Sequence, residues 1–145
     1  SSAMQFYIVQ GKIYNDSLLE IAEKRINKNK AREFYKNDIE KKPLLDSIQY
    51  ASDNYILLKE RYNLLMDSIL KLAINEESFK LYVIPEKQRK VYKSIGGTPH
   101  LDQNYTVFGE LISGMNVLDS IARVRTDALD RPINDVRMQT IKLLN

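Results

Sequence analysis

The chain has few side chains whose types and spacing could support catalysis. His100 is the only histidine, and the sequence contains no cysteine, so neither a multi-histidine metal site nor a thiolate site can be assembled. Gly96 and Gly97 precede this histidine but lack the further glycines and the helix context of a phosphate-binding loop. Asp127 and Asp130 form a spaced acidic pair, which in a proline-containing loop is more typical of a turn. We therefore expect no metal and no cofactor.

Recognisable motifs occur in separated segments of the chain, in a fixed order. They are Gln-Phe-Tyr-Ile-Val at residues 5–9, Gly-Gly-Thr-Pro-His-Leu-Asp at 96–102, Tyr-Thr-Val-Phe-Gly-Glu at 105–110, Gly-Met-Asn-Val-Leu-Asp at 114–119, Asp-Arg-Pro-Ile at 130–133, and a last strand-like segment at 136–144. Together they resemble the second half of a cyclophilin, a family of peptidyl-prolyl cis-trans isomerases. The segment at 130–133 is similar to a loop common in bacterial members. Separated segments in the right order are far more specific than any one of them.

The resemblance implies a reaction that breaks no bond. An Xaa-Pro amide has partial double-bond character, and the uncatalysed barrier to its rotation is about 18 to 20 kcal/mol. A catalyst needs an apolar socket for the proline ring, hydrogen bonds to the flanking peptide, and a preference for the twisted amide over the planar one. This chemistry requires no metal or cofactor, and the implied partners are proline-containing polypeptides.

The resemblance also implies which residues bind the substrate. Tyr7 matches the aromatic residue that floors the family's proline socket, and Leu101 matches the aliphatic residue at its wall. Gln5 lies near the edge of the socket, and His100 lies at its rim. Tyr105 takes the place of a histidine that lines the socket in the best-known members.

The catalytic arginine of the family has no counterpart in this sequence. In the family it belongs to a segment resembling Phe-His-Arg-Val-Ile, upstream of the aromatic strand, and the chain starts too late to contain that segment. We therefore identify no catalytic residue. Two functions are open: a prolyl isomerase that assists protein folding, whose chain as given lacks the arginine, and a non-catalytic proline-peptide-binding or chaperone-like module.

The composition is that of an ordinary globular domain. Of 145 residues, 43% are hydrophobic and 28% are charged, which is near the average for soluble proteins. No apolar run approaches the length of a bilayer span, so we expect no membrane partner. The net charge of +3 is spread in mixed sign, which suits a solvated helix face rather than a nucleic-acid surface. A chain without cysteine fits the cytoplasm and the periplasm equally, so the compartment stays open.

The region from residue 12 to residue 94 has helical patterns. Ser17 and Glu20 form a capping box that predicts the start of a first helix. We expect it to run to residue 42, where Pro43 either ends it or opens a second helix, and we expect Pro85 to open a short last helix. A third helix is predicted by apolar residues spaced 4, 3, 4 and 3 apart, namely Leu58, Tyr62, Leu65, Ile69 and Leu72. This seam is either the core of an antiparallel helical hairpin or a groove for an outside partner.

We predict an α+β fold on this basis. Residues 1–11 and 95–145 would form a partial cyclophilin-like antiparallel β-barrel, and residues 12–94 would form an inserted helical module. Strands are expected at residues 4–10, 105–112 and 136–144, with a short helix near 117–122. Because unpaired strand edges are a liability in water, either a missing N-terminal part completes the barrel, or the helices cover its open side, or two chains pair as a homo-oligomer.

Overall fold

Helices dominate the described part of the chain. The computed structural model describes residue 6 and residues 8–142. Its helices are α1 (Asp16–Phe34), α2 (Lys42–Asp53), α3 (Tyr55–Ile74), α4 (Glu86–Ser94) and α5 (Met115–Ala122), with a short 3-10 turn at Pro99–Leu101. Within these residues, no helix combines the length and the apolar character that crossing a bilayer would need.

The chain divides into two compact units. The first, which we call the helical unit, is Gly11–Tyr105 and contains α1 to α4 and the 3-10 turn. The second, the terminal unit, combines Ser1–Gln10 with Thr106–Asn145 and contains α5. The predicted division into domains at residues 11–12 and 94–95 stays a prediction, because grouping by proximity does not test which segments fold independently.

The core of the helical unit lies between its first three helices. α3 packs against both α1 and α2, and the side chains between them are almost fully buried: Ala31, Tyr35, Ile48, Met66, Ile69, Leu70, Ala73 and Phe79. A second cluster joins Tyr14, Leu19 and Ile84, with Tyr82 and Tyr92 packed against it. The second cluster matters for the site, because it lies beside the segment that carries the 3-10 turn.

The first helix begins slightly earlier than the sequence predicted. Its cap is Asn15, whose side-chain oxygen accepts a hydrogen bond from the backbone N–H of Leu18 at 2.9 Å. Ser17, the predicted cap, lies inside the helix, so the capping-box prediction is wrong. Asn and Ser are about equally good caps, and the sequence offers both within two residues.

The first helix also ends earlier than predicted. It stops at Phe34, and the chain turns before α2 because the Asp38 side chain accepts backbone hydrogen bonds from Glu40 at 2.9 Å and Lys41 at 3.2 Å. Pro43 then lies in the first turn of α2, as predicted. The predicted fourth helix is also confirmed, since α4 follows Pro85.

The buried face of α3 differs from the predicted seam. Ile69 is fully buried, but Leu72 is 40% exposed, and Met66, Leu70 and Ala73 take its place in the core. A strict heptad seam drifts by about 20° per heptad around a straight helix. Because α3 also contacts two helices, it needs a wider apolar face than a single seam provides.

The predicted antiparallel β-barrel is wrong for the described residues. None of the described residues at 6–10, 105–112 and 136–142 forms a strand. The only β-pairings among the described residues are isolated bridges outside these segments, from Lys12 to Gly97 and from Thr126 to Pro132. A strand exists only where its backbone groups pair with a neighbouring segment. The alternating apolar residues predicted the extended conformation, but within the described residues no second segment pairs with them.

The terminal unit has a helix but no buried core among its described residues. α5 matches the helix predicted near residues 117–122. The Gln10 side chain donates a hydrogen bond to Asp119 of α5 at 2.7 Å, and Phe6 meets Phe108 edge to face with ring centroids 6.0 Å apart. No described side chain of this unit is buried, and Val107 is 88% exposed.

Candidate functional site

Two of the predicted substrate-binding residues lie in the 3-10 turn Pro99–Leu101. His100 and Leu101 are both half-buried there, next to the fully buried ring of Pro99. α1 packs against this turn. Proline fixes its own φ angle near −65°, so Pro99 restricts the conformations that the turn can adopt.

The segment before the turn is held by a close backbone approach. Lys12 and Gly97 form an antiparallel bridge, with N–H to O distances of 3.1 Å and 3.0 Å in the two directions. Gly96 has a φ of +100°, and a Cβ atom there would lie 2.8 Å from the carbonyl oxygen of Lys12. A Cβ atom at Gly97 would lie 2.5 Å from the ring of Tyr92. The two glycines are therefore required for this approach, whatever their role in the sequence motif.

The residue after the turn, Asp102, accepts hydrogen bonds from two tyrosines. The hydroxyl of Tyr92 lies 2.9 Å and 2.8 Å from the two carboxylate oxygens of Asp102. The hydroxyl of Tyr82 lies 3.4 Å from one of them. Burial raises the pKa of Tyr92 well above its usual range, and the hydrogen bond to Asp102 raises it further. The pKa of Tyr82 is raised for the same reasons, so both tyrosines are donors at neutral pH.

α1 holds the extended segment that carries Tyr82. The side-chain amide of Asn27, which is 6% exposed, donates to the carbonyl of Tyr82 and accepts from its N–H, both at 2.8 Å. One turn earlier on α1, the Glu23 carboxylate accepts from the N–H of Ile84 at 2.9 Å and from Arg89 of α4 at 2.7 Å. Asn27 thus provides hydrogen-bond partners for the backbone N–H and the carbonyl of Tyr82, which would otherwise lack partners close to the core.

The environment of His100 is electropositive. Burial lowers the pKa of His100 below its ordinary value of 6.5, and the positive charges of Arg25 and Lys12 lower it further, while Asp102 acts in the opposite direction. Each cause other than Asp102 favours the neutral imidazole. His100 is therefore neutral at pH 7.

The predicted substrate-binding residues have different outcomes in the structure. His100 and Leu101 share one turn, and Tyr105 follows it with 51% of its surface exposed. Gln5 and Tyr7 lie outside the described residues. The substrate-binding roles of all five residues therefore stay predictions.

Sequence reasoning missed the residues that hold the turn. Tyr82, Tyr92 and Asn27 lie between residues 12 and 94, at sequence separations of 10 or more residues from Asp102, and no local pattern links them to it. A partial signal was present, because a buried asparagine on the apolar face of α1 needs a polar partner. For the part of the chain that the structure describes, no three His, Asp or Glu side chains are grouped so that they could hold a metal ion.

Comparison with known proteins identifies a matching family. The sequence profile of the family described as cyclophilin type peptidyl-prolyl cis-trans isomerase/CLD matches residues 3–143. This match covers nearly the whole chain, including the helical unit. No solved structure matches the chain.

Individual relatives match a smaller part. A protein of Staphylococcus saprophyticus, named as a peptidyl-prolyl cis-trans isomerase, is 42% identical over 60 residues, which cover 41% of this chain and 30% of the relative. A protein of Staphylococcus haemolyticus with the same name is 47% identical over 57 residues, which cover 39% of this chain and 29% of the relative. A third, from Streptococcus pyogenes and named as a bifunctional phosphatase/peptidyl-prolyl cis-trans isomerase, is 48% identical over 56 residues, which cover 37% of this chain and 12% of the relative. The chain thus spans less than a third of the length of the relatives it matches.

Proposed function

This chain belongs to the cyclophilin-type peptidyl-prolyl cis-trans isomerase family, and from that membership we propose that it acts on Xaa-Pro bonds in unfolded or loop segments of other polypeptides, assisting their folding. The observation that carries the proposal is the family match over residues 3–143. The names of the staphylococcal relatives agree with it.

We assign substrate binding to the 3-10 turn and the residues that the resemblance adds to it. Leu101 would supply apolar surface to the proline ring, and His100 would lie at the rim. Tyr105, Gln5 and Tyr7 complete the proposed set. The bonds from Tyr92 to Asp102 and from Lys12 to Gly97 support this assignment, because a turn held before the substrate arrives loses less conformational entropy on binding.

We further propose that turnover at the rate of a typical family member requires the family's arginine, for which this sequence has no counterpart. Binding and rotation of the amide are separable steps, because only interactions that are stronger in the twisted state lower the barrier. A chain with the turn but without the arginine would therefore bind proline peptides and catalyse their isomerisation slowly.

The test combines a binding assay with an exchange assay on the 145-residue chain. Binding of a short Ala-Pro-containing peptide would be followed by NMR line shifts, and cis-trans interconversion of the same peptide by exchange spectroscopy. We expect measurable binding with little acceleration. Leu101→Ala should weaken binding several-fold, whereas Leu64→Ala, at a position that is 69% exposed on α3, should not.

Each outcome of this test has a distinct meaning. Acceleration at the rate of a typical family member would refute the requirement for the arginine. Binding without any acceleration would favour a non-catalytic proline-peptide-binding or chaperone-like module. Absence of binding would overturn the proposed function.

A further inference from the structure

Tyr92 contacts both ends of the segment that carries the proposed substrate-binding turn. At the entrance, its ring lies against Gly97, where a Cβ atom would lie 2.5 Å from the ring. At the exit, its hydroxyl donates a hydrogen bond to the Asp102 carboxylate, 2.8 Å and 2.9 Å from the two oxygens. The turn Pro99–Leu101 lies between these two contacts. We call this pair of contacts the Tyr92 clamp.

Tyr92 is itself held in place by its neighbours. Its backbone carbonyl accepts a hydrogen bond from the N–H of Tyr14 at 2.9 Å, and the two rings meet with their centroids 6.2 Å apart. Three residues earlier on α4, Arg89 donates to Glu23 of α1 at 2.7 Å. The position of the Tyr92 hydroxyl is therefore fixed by packing and by the placement of α4, as well as by its own hydrogen bond.

Tyr82 does not make an equivalent contact with Asp102. Its hydroxyl lies 3.4 Å from one carboxylate oxygen of Asp102 and 3.4 Å from the side chain of Gln88. Both distances are at the weak end of the range for hydrogen bonds between oxygen atoms. Of the two tyrosines, Tyr92 thus makes the stronger contact with the residue that follows Leu101.

We infer that Tyr92 is a positioning residue for the proposed site, because its clamp holds His100 and Leu101 in the conformation that binds a proline peptide. The inference rests on the proposed function and adds to it the residue that sets the affinity of the turn. The Tyr92 hydroxyl is engaged by Asp102, so Tyr92 acts through the turn rather than by contact with the peptide. When the clamp is broken, the dissociation constant should rise in inverse proportion to the fraction of turns that remain competent to bind.

Breaking the hydrogen bond should weaken peptide binding moderately, because other contacts still hold the turn. Lys12 remains bonded to Gly97 in both directions, and Pro99 is fully buried in a turn that packs against α1. We expect Tyr92→Phe to raise the dissociation constant of an Ala-Pro-containing peptide roughly 3- to 10-fold, which corresponds to a competent fraction of about 0.1 to 0.3 relative to the wild type. Tyr82→Phe should raise it less than about 2-fold, since its hydrogen bond is long.

Variants elsewhere in the core separate positioning from a general loss of stability. Ile69 is fully buried in the first core cluster, whereas Tyr92 packs against the second. Ile69→Val and Ile69→Ala lower the free energy of unfolding by increasing amounts, and together they bracket the loss expected for Tyr92→Phe. Because independent sites do not share their effects, both variants should keep the dissociation constant within about 2-fold of the wild type as long as they are folded.

The experiment measures peptide binding and the conformation of the turn separately. Dissociation constants would be measured by NMR titration for the 145-residue chain and for each variant, under conditions in which circular dichroism shows unchanged helix content. His100 is the only histidine, and its imidazole resonances report on the turn in the absence of any peptide. We expect these resonances to shift or broaden in Tyr92→Phe and to stay unchanged in both Ile69 variants.

A double-mutant cycle tests whether the effect belongs to the hydrogen bond. Asp102→Asn keeps an oxygen that can accept from Tyr92, although it lacks the charge, so it should weaken peptide binding less than Asp102→Ala does. Adding Tyr92→Phe to Asp102→Ala should cause no further weakening, because the bond is already absent. If Tyr92→Phe alone does not fold, the comparison of Asp102→Asn with Asp102→Ala tests the same bond.

Different failures separate this inference from the proposed function. If the wild type binds the peptide and Tyr92→Phe binds it equally well, the positioning role is wrong and the proposed function stands. Equal weakening in the Ile69 variants would also overturn the role, since lost stability would then explain the effect. Additive effects of Tyr92→Phe and Asp102→Ala, or equal effects of Asp102→Asn and Asp102→Ala, would show that the hydrogen bond does not position the turn. If the wild type binds no proline peptide, both the positioning role and the proposed function are wrong.

Discussion

The hydroxyl of Tyr92 should be a main source of stability for the proposed substrate-binding turn. It donates to Asp102 at 2.8 Å and 2.9 Å from the two carboxylate oxygens, and Tyr92 is half-buried. A hydrogen bond to a charged group contributes about 1.5 to 3 kcal/mol. Tyr92→Phe removes this bond but keeps the ring that packs against Gly97, so no cavity term is added. We expect the free energy of unfolding to fall by about 1.5 to 3 kcal/mol.

Tyr82→Phe provides an internal control, because it removes a hydroxyl that points at the same carboxylate. The Tyr82 hydroxyl lies 3.4 Å from both Asp102 and Gln88, which is at the weak end of hydrogen-bond distances. Its loss should cost less than about 1 kcal/mol. Urea unfolding followed by far-ultraviolet circular dichroism measures both variants. Equal losses for the two, or a loss below about 0.5 kcal/mol for Tyr92→Phe, would refute the reasoning from distance.

The raised pKa of the Tyr92 hydroxyl predicts how the stability of the fold changes in alkaline solution. The pKa of Tyr92 is raised above its ordinary value of 10.0, first by burial and then by Asp102, so the folded chain holds this proton more tightly than the unfolded chain. The resulting stability is complete below pH 10 and is lost as the pH rises further. Burial also raises the pKa values of Tyr14, Tyr35 and Tyr82. Unfolding free energy should therefore fall above pH 10 in the wild type, and less steeply in Tyr92→Phe.

Three further predictions use positions elsewhere in the chain. His100, the only histidine, should titrate below pH 6.5 by NMR; its lowered pKa means that the stability it contributes is present above pH 6.5 and is lost as the pH falls through the folded-state pKa. Gly96→Ala should destabilise the chain by at least about 2 kcal/mol, since its φ is +100° and a Cβ would lie 2.8 Å from a carbonyl oxygen; Gly109→Ala, with no atom within 4 Å of its Cβ, is the control. Ile69→Ala should cost about 2 to 5 kcal/mol and Leu72→Ala about 1 or less, because Ile69 is fully buried and Leu72 is 40% exposed; equal costs would restore the predicted seam.

The helices could be predicted from the sequence because their signals are local. Apolar residues three and four apart define α3, and Pro43 and Pro85 mark where α2 and α4 begin. The helix ends were less predictable. Asn15 and Ser17 are rival caps of similar strength, and α1 stops where Asp38 turns the chain, a contact that helical periodicity does not reveal.

The barrel could not be predicted in the same way, because a sheet depends on partners that are distant in sequence. The alternation of apolar and polar residues at 105–112 predicts an extended segment, but it does not indicate which other segment pairs with it. Among the described residues no ladder forms there. The turn at Pro99–Leu101 is a different case. The resemblance assigned His100 and Leu101 to the substrate-binding site, but the contacts that fix their turn involve Tyr82, Tyr92 and Asn27, which lie outside the motifs.

The helices and the motif at residues 96–102 are therefore physically linked within the helical unit. The motif supplies Gly97, Pro99 and Asp102, and α4 supplies the ring beside Gly97 and the hydroxyl bonded to Asp102. Tyr92 makes both contacts, and it lies on α4, which Glu23 ties to α1 through Arg89. A change in α1 can thus affect the turn through the Glu23–Arg89 ion pair, the ring of Tyr92 and the hydrogen bond from Tyr92 to Asp102. No motif residue needs to be altered for this. The helices of this unit thus serve as a scaffold for the proposed substrate-binding turn.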